Sequence, residues 1–144
     1  MRILSVNIQQ NKVKDSDFLN INENAISNTK GFSKKRKVID RKTADMNRLY
    51  VVESCLSTTG AMSDHRLRLK QSDIENFVAK LWGRFNSNKK SKDIFLESLY
   101  KDLSNSKFKG KSIVKGGFRL SKESHSLIAL INNKLGNIGK TVNY

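Results

Sequence analysis

Leu49-Tyr50-Val51-Val52 is a run of four apolar residues without alternation, bounded by polar residues on both sides. A strand exposed on one face alternates, so an unbroken run suits one covered on both faces, as in a parallel sheet. Upstream, Ile3 to Ile8 has enough β-branched and aliphatic residues for a second short strand, while Asn20 to Thr29 is polar and reads as loop. Downstream, Ser72-Asp73-Ile74-Glu75 has the S-x-x-E spacing of a capping box. Behind it, Ile74, Phe77, Val78 and Leu81 fall on one helical face, which predicts that they are buried and that Asn76 and Lys80 are exposed. After a polar linker from Gly83 to Lys90, a second helix from about Ser91 to Leu103 buries Phe95, Leu96, Leu99 and Leu103.

Lys111-Ser112-Ile113-Val114 before Gly116-Gly117 reads as a strand ending in a turn. Ser121 caps a third helix with Leu127, Ile128, Ile131 and Leu135 on its apolar face, and Gly136 stands where a left-handed C-terminal cap belongs. Lys140 to Tyr144 looks like the start of another strand, cut short. Strands alternating with amphipathic helices predict an α/β fold, a partial Rossmann-like layer with a mostly parallel sheet, truncated at its end. The predicted organisation is an N-terminal segment, residues 1–45, with a short strand and a mobile basic loop, followed by an α/β domain over residues 46–144.

With 28 Lys and Arg against 13 Asp and Glu, the formal charge is +15. Such a balance ordinarily suggests nucleic acid or an anionic surface. The excess is mostly Lys, however, and comes with abundant Asn, Ser and Ile and no Pro, where average usage is about 5%. Those residues have AT-rich codons and Pro does not, so codon drift explains the charge more economically. The run Lys34-Lys35-Arg36-Lys37 lacks interleaved aromatics and any zinc-finger signature, and reads as a solvated loop. No run approaches the length of a membrane span, so direct membrane insertion is not expected.

The single cysteine, Cys55, can neither close an internal disulfide nor assemble an iron–sulfur cluster alone. Cys55, His65 and His125 lack metal-ligand spacing. Gly136-Asn137-Ile138-Gly139-Lys140-Thr141 ends like a phosphate-binding loop, but its first glycine is misplaced and it follows a helix, so it reads as a helix cap. Gly116-Gly117 lacks the third glycine of a dinucleotide fingerprint and reads as a turn. Asp64 and His65 beside Ser57 or Ser63 form no nucleophile elbow.

Met46-Asn47-Arg48-Leu49-Tyr50-Val51-Val52-Glu53-Ser54, followed by Thr58-Thr59-Gly60-Ala61-Met62-Ser63-Asp64-His65-Arg66-Leu67, resembles a stretch of the B subunit of bacterial alternative complex III. That subunit is the molybdopterin-oxidoreductase-like, iron–sulfur subunit of a quinol:cytochrome c oxidoreductase. Asp15 to Leu19 with Gly31 to Arg36, and His125 to Asn132 with Leu135 to Val142, are similar to flanking elements of the same subunit. Arg68 stands where that family usually has Pro.

The resemblance implies a partial molybdopterin-oxidoreductase-like domain with a structural, non-catalytic role in electron transport of the respiratory chain. Its implied partners are the remainder of the same subunit and the other subunits of the complex. In the wider superfamily an acid ending such a strand contributes to the site for the guanosine of the pterin cofactor, and Glu53 matches it as a vestige of that role. The resemblance places iron–sulfur clusters in a separate cysteine-rich domain, implies no molybdopterin here, and points to the periplasmic face of the inner membrane. Two alternatives are a small basic nucleic-acid-binding protein and a pterin-nucleotide-binding domain.

Overall fold

The computed structural model describes residues 1–6, 17–20, 23–37, 46–87 and 89–143. Four parallel strands form one sheet in the order β3-β2-β1-β4. They are β1, Arg2–Val6; β2, Arg48–Glu53; β3, His65–Arg68; and β4, Ser112–Gly116. The chain moves outward from β1 through β2 to β3, then crosses back to place β4 on the other side of β1. This is the opening half of the Rossmann strand order, and the fold is a Rossmann-like α/β layer. The boundary expected at residue 45 does not divide the sheet, because β1 is a central strand paired with both β2 and β4.

The unbroken apolar run of β2 has the predicted cause. Tyr50 and Val52 face one layer with Leu4 and Val114, against the helices α3 (Gln71–Asn86), α4 (Ile94–Ser104) and α5 (Lys122–Lys134). Leu49 and Val51 face the opposite layer with Ile3, against Phe32 of α1 (Ala25–Lys34). Burial on both faces removes the pressure to alternate. Ile74, Phe77, Val78 and Leu81 are buried in α3, and Asn76 and Lys80 are exposed.

Several local expectations need correction. Asn20 to Thr29 is not loop throughout, because α1 begins at Ala25. Its order comes from tertiary contacts: Asn28 donates to the Phe18 carbonyl and Thr29 to that of Leu19. Lys34 is therefore the end of a helix, while Arg36 pairs with Asp64. The loop expected beyond, over residues 38–45, and the end of the first strand at Asn7 and Ile8, lie outside the described residues.

Ser72 does not cap α3, which starts at Gln71 with Lys70 at the cap and no side-chain capping bond. Glu75 instead accepts from the backbone N–H of Ser121 at 2.8 Å, tying α3 to the start of α5. The same helix runs to Asn86 through what reads as linker, and α4 begins at Ile94, capped by Asp93. Ser121 does cap α5, and Gly136 has φ +67° as the C-terminal cap requires.

No further strand begins at Lys140. Ile138 and Val142 form an isolated bridge across a tight turn, in which the Asn137 carbonyl accepts from the N–H groups of Lys140, Thr141 and Val142. The turn helps close the outer edge of β4. The Asn132 side chain accepts from Val114 N–H at 3.0 Å and donates to the Val114 carbonyl at 2.8 Å, and Thr141 donates to the Ser112 carbonyl at 2.5 Å. Groups that a neighbouring strand would have satisfied thus have side-chain partners.

Candidate functional site

The connection from β2 to β3 carries the residues of the family resemblance. It contains only a four-residue helix, α2, Thr58–Ala61, capped by Ser57, whose hydroxyl accepts from Gly60 N–H. So short a parallel crossover, below the usual dozen or more residues, has little apolar surface to hold it down. Buried polar groups do so instead.

Glu53 ends β2 fully buried. Its Oε2 accepts from Ser57 Oγ at 2.7 Å, and its Oε1 from Arg66 Nε at 2.6 Å and from Ser57 N–H at 3.3 Å. A buried carboxylate is tolerable only with such compensation. Gly60 leaves the room for it, since a Cβ there would collide with the Glu53 carboxylate and stand 2.7 Å from its Cδ. On the other side of α2, buried Asp17 accepts from the N–H groups of Thr58 and Thr59 and from Thr59 Oγ1 at 2.6 Å. Two carboxylates therefore grip one turn of helix through its unsatisfied amino-terminal N–H groups.

Asp64 closes the unit below. It accepts from Leu49 N–H at 2.7 Å and from both terminal nitrogens of Arg36. His65 stacks on Tyr50 with ring centroids 4.5 Å apart. Asp64 is thus occupied by backbone and Arg36, and the imagined hydrolase set with Ser57 or Ser63 is not assembled. Cys55 is exposed at the opposite end of β2 from His65, and His125 lies on α5. Among the described residues no three His, Cys, Asp or Glu side chains gather in a metal-binding group. Likewise among them, no helix is long and apolar enough to cross a membrane. Gly116-Gly117 ends β4 and leads toward Ser121, with the Gly117 carbonyl accepting from Leu120 N–H.

A second polar cluster sits where α4 meets the amino ends of the strands. Asp102 Oδ2 accepts from Tyr50 Oη and from Arg48, both at 2.7 Å, with Arg2 Nε 3.6 Å away. Burial, and then the bond to Asp102, push the Tyr50 hydroxyl up to about 12. For Asp102, burial raises the carboxyl pKa, but the hydrogen bonds from Tyr50 and Arg48 outweigh it and hold the group below its ordinary 3.8. Raised in the folded state, Tyr50 contributes stability that is complete below its ordinary value of 10 and is lost as pH rises toward 12. Asp102 has the opposite sense, losing its contribution as pH falls below about 4. The expected result is that the stability difference between wild type and Tyr50→Phe, measured by urea unfolding, shrinks by on the order of 2 kcal/mol between pH 9 and 12. A constant difference would show that Tyr50 titrates alike in both states.

Asp17, Arg66 and Asp102 were not legible as site residues, because their roles depend on partners 13 to 52 positions away. No known protein-family profile matches the chain, and no curated protein is similar enough to count as a match.

Proposed function

We propose that the chain is a non-catalytic structural module of a molybdopterin-oxidoreductase-like subunit in an alternative complex III, contributing scaffold and subunit contacts to a quinol:cytochrome c oxidoreductase. One observation carries this reading. The residues of the resemblance close into a single unit of β2, α2 and β3, in which Glu53, Thr58, Thr59, Gly60, Asp64 and Arg66 each have a structural partner or fill a required space. A motif used this way is a folding signature, and sharing it argues for a shared local architecture.

The non-catalytic part of the reading rests on where those polar groups point. Glu53 ends β2 where the superfamily places an acid against guanosine, yet here both of its oxygens are held inside the chain by Ser57 and Arg66. Co-expression with the other subunits of an alternative complex III tests the proposal. The chain should co-elute with them in one assembly, and quinol oxidation should depend on its presence. Elution of this chain alone, with the remaining subunits fully active without it, would sink the reading. Mass spectrometry that found a stoichiometric pterin nucleotide would replace it with a binding role at Glu53.

A further inference from the structure

The layer that holds α1 covers β1 and β2 but leaves β4 beside a cavity of about 450 Å³. Its walls are largely apolar: Ile3 and Ile113 form the floor, and Phe18 and Phe32 stand over them, edge to face. Among the polar side chains that also line it, two carry unmatched buried atoms. Ser5 Oγ and Asn47 Oδ1 both belong to side chains at least nine-tenths buried, and neither has a hydrogen-bond partner among the described residues. Leaving such buried groups unmatched is costly, so a pair of them on one cavity calls for a reason.

Their placement along the strands is informative. Ser5 pairs in register with Lys115, so the two residues stand side by side on neighbouring strands, and the side chain of each lines the cavity. Lys115 has no acidic partner among the described residues. One step down the same face, Ile3 pairs with Ile113. Asn47 lies just before β2, level with Met1, because Arg48 pairs with Arg2. From Ser5 to Met1 is four residues of strand, about 13 Å. The cavity is therefore a largely apolar slot with half-buried Lys115 and buried Ser5 at one end and, at the other, the unmatched Asn47 carbonyl beside exposed Lys35.

We infer that this slot binds a medium-chain carboxylate, with its head group on Lys115 and Ser5 and its acyl chain along Ile3 and Ile113, beside the paired phenylalanines. A carboxylate supplies the acceptor that Ser5 lacks and the counter-charge that Lys115 lacks. Burial alone lowers the pKa of the Lys115 ammonium, and an anion beside it restores the charged form. At the far end, the Asn47 carbonyl favours a chain that carries a terminal hydroxyl. The inference is independent of the proposed role in a respiratory complex.

Isothermal titration of the full chain with decanoate, below its micellar range, should show one saturable site. Decanol, which keeps the chain and loses the anion, should bind at least tenfold more weakly, as expected for losing a charge-assisted hydrogen bond. Lys115→Met should weaken decanoate about 30-fold while leaving decanol unchanged, whereas Lys111→Met, the same charge change at an exposed site, should do nothing. Binding of ω-hydroxydecanoate about fivefold tighter than decanoate would support the orientation toward Asn47. No saturable binding to the full chain, equal affinity for decanoate and decanol, or equal effects of the two lysine variants would overturn the assignment.

Discussion

Gly60→Ala is expected to destabilise the protein by about 3 kcal/mol, although alanine is the better helix former by about 1 kcal/mol and Gly60 lies in a helix. The reason is the Glu53 carboxylate, which occupies the space where the new methyl group would go. Glu53 cannot swing away cheaply, since it is fully buried and bound to Ser57 and Arg66. Moving it would break a buried ion pair, a change that typically costs about 3 to 5 kcal/mol. Glu53→Ala should therefore cost about as much alone as Gly60→Ala does. In the Glu53→Ala background the obstacle is gone, and Gly60→Ala should then cost under about 1 kcal/mol or even stabilise. Urea unfolding of the two single variants and the double variant completes the cycle. Additive costs would show that the methyl group and the carboxylate do not compete for one space.

Asn132→Leu should cost about 4 kcal/mol, despite similar side-chain volume and a position where the helix is otherwise apolar. The amide presently satisfies both the N–H and the carbonyl of Val114 and also accepts from Asn137 Nδ2 at 3.0 Å. Leucine leaves two backbone groups of an edge strand unpaired, at about 1 to 3 kcal/mol each when buried. The variant should also self-associate, because the uncovered edge of β4 can recruit a strand from another molecule. Amide hydrogen exchange separates this mechanism from general loosening: Val114 should lose protection while Val51, in the sheet interior, retains it at low concentration. Loss at both positions together would indicate global unfolding instead.

The two central layers were legible in the sequence for one reason: their residues announce burial through composition and spacing alone. Leu49 to Val52 predicted a doubly covered strand, and the apolar positions of α3, α4 and α5 predicted their inner faces. Errors fell where long-range bonds outrank local preference. Glu75 has the spacing of a capping acid, but the N–H of Ser121 is a more distant partner that the folded chain brings closer to hand. The helix α1 carries one buried apolar side chain, Phe32, and its Ile26 points to solvent, so no periodic stripe marks it. At the candidate site, Glu53 was visible as an acid ending a strand, while its confinement depended on Arg66 and on the absence of a side chain at Gly60. Lys140 to Tyr144 misled because Lys-Thr-Val resembles a strand opening, whereas Asn137 gathers those amides into a turn.

The position of β1 has a bearing on synthesis. This strand is made before either of its neighbours, and its partner on one side, Ser112 to Gly116, follows only about a hundred residues later. At usual translation rates of about 5 to 20 residues per second, β1 waits on the order of ten seconds with one ladder unfilled. The unit of β2, α2 and β3 can form in that interval, since its polar clamps all join residues made before Ser112, but it can shelter only one side of β1. The nascent chain therefore passes through a stage in which a strand destined for the interior is an open edge, and a block in elongation before Ser112 would leave it there for a chaperone or another chain to find.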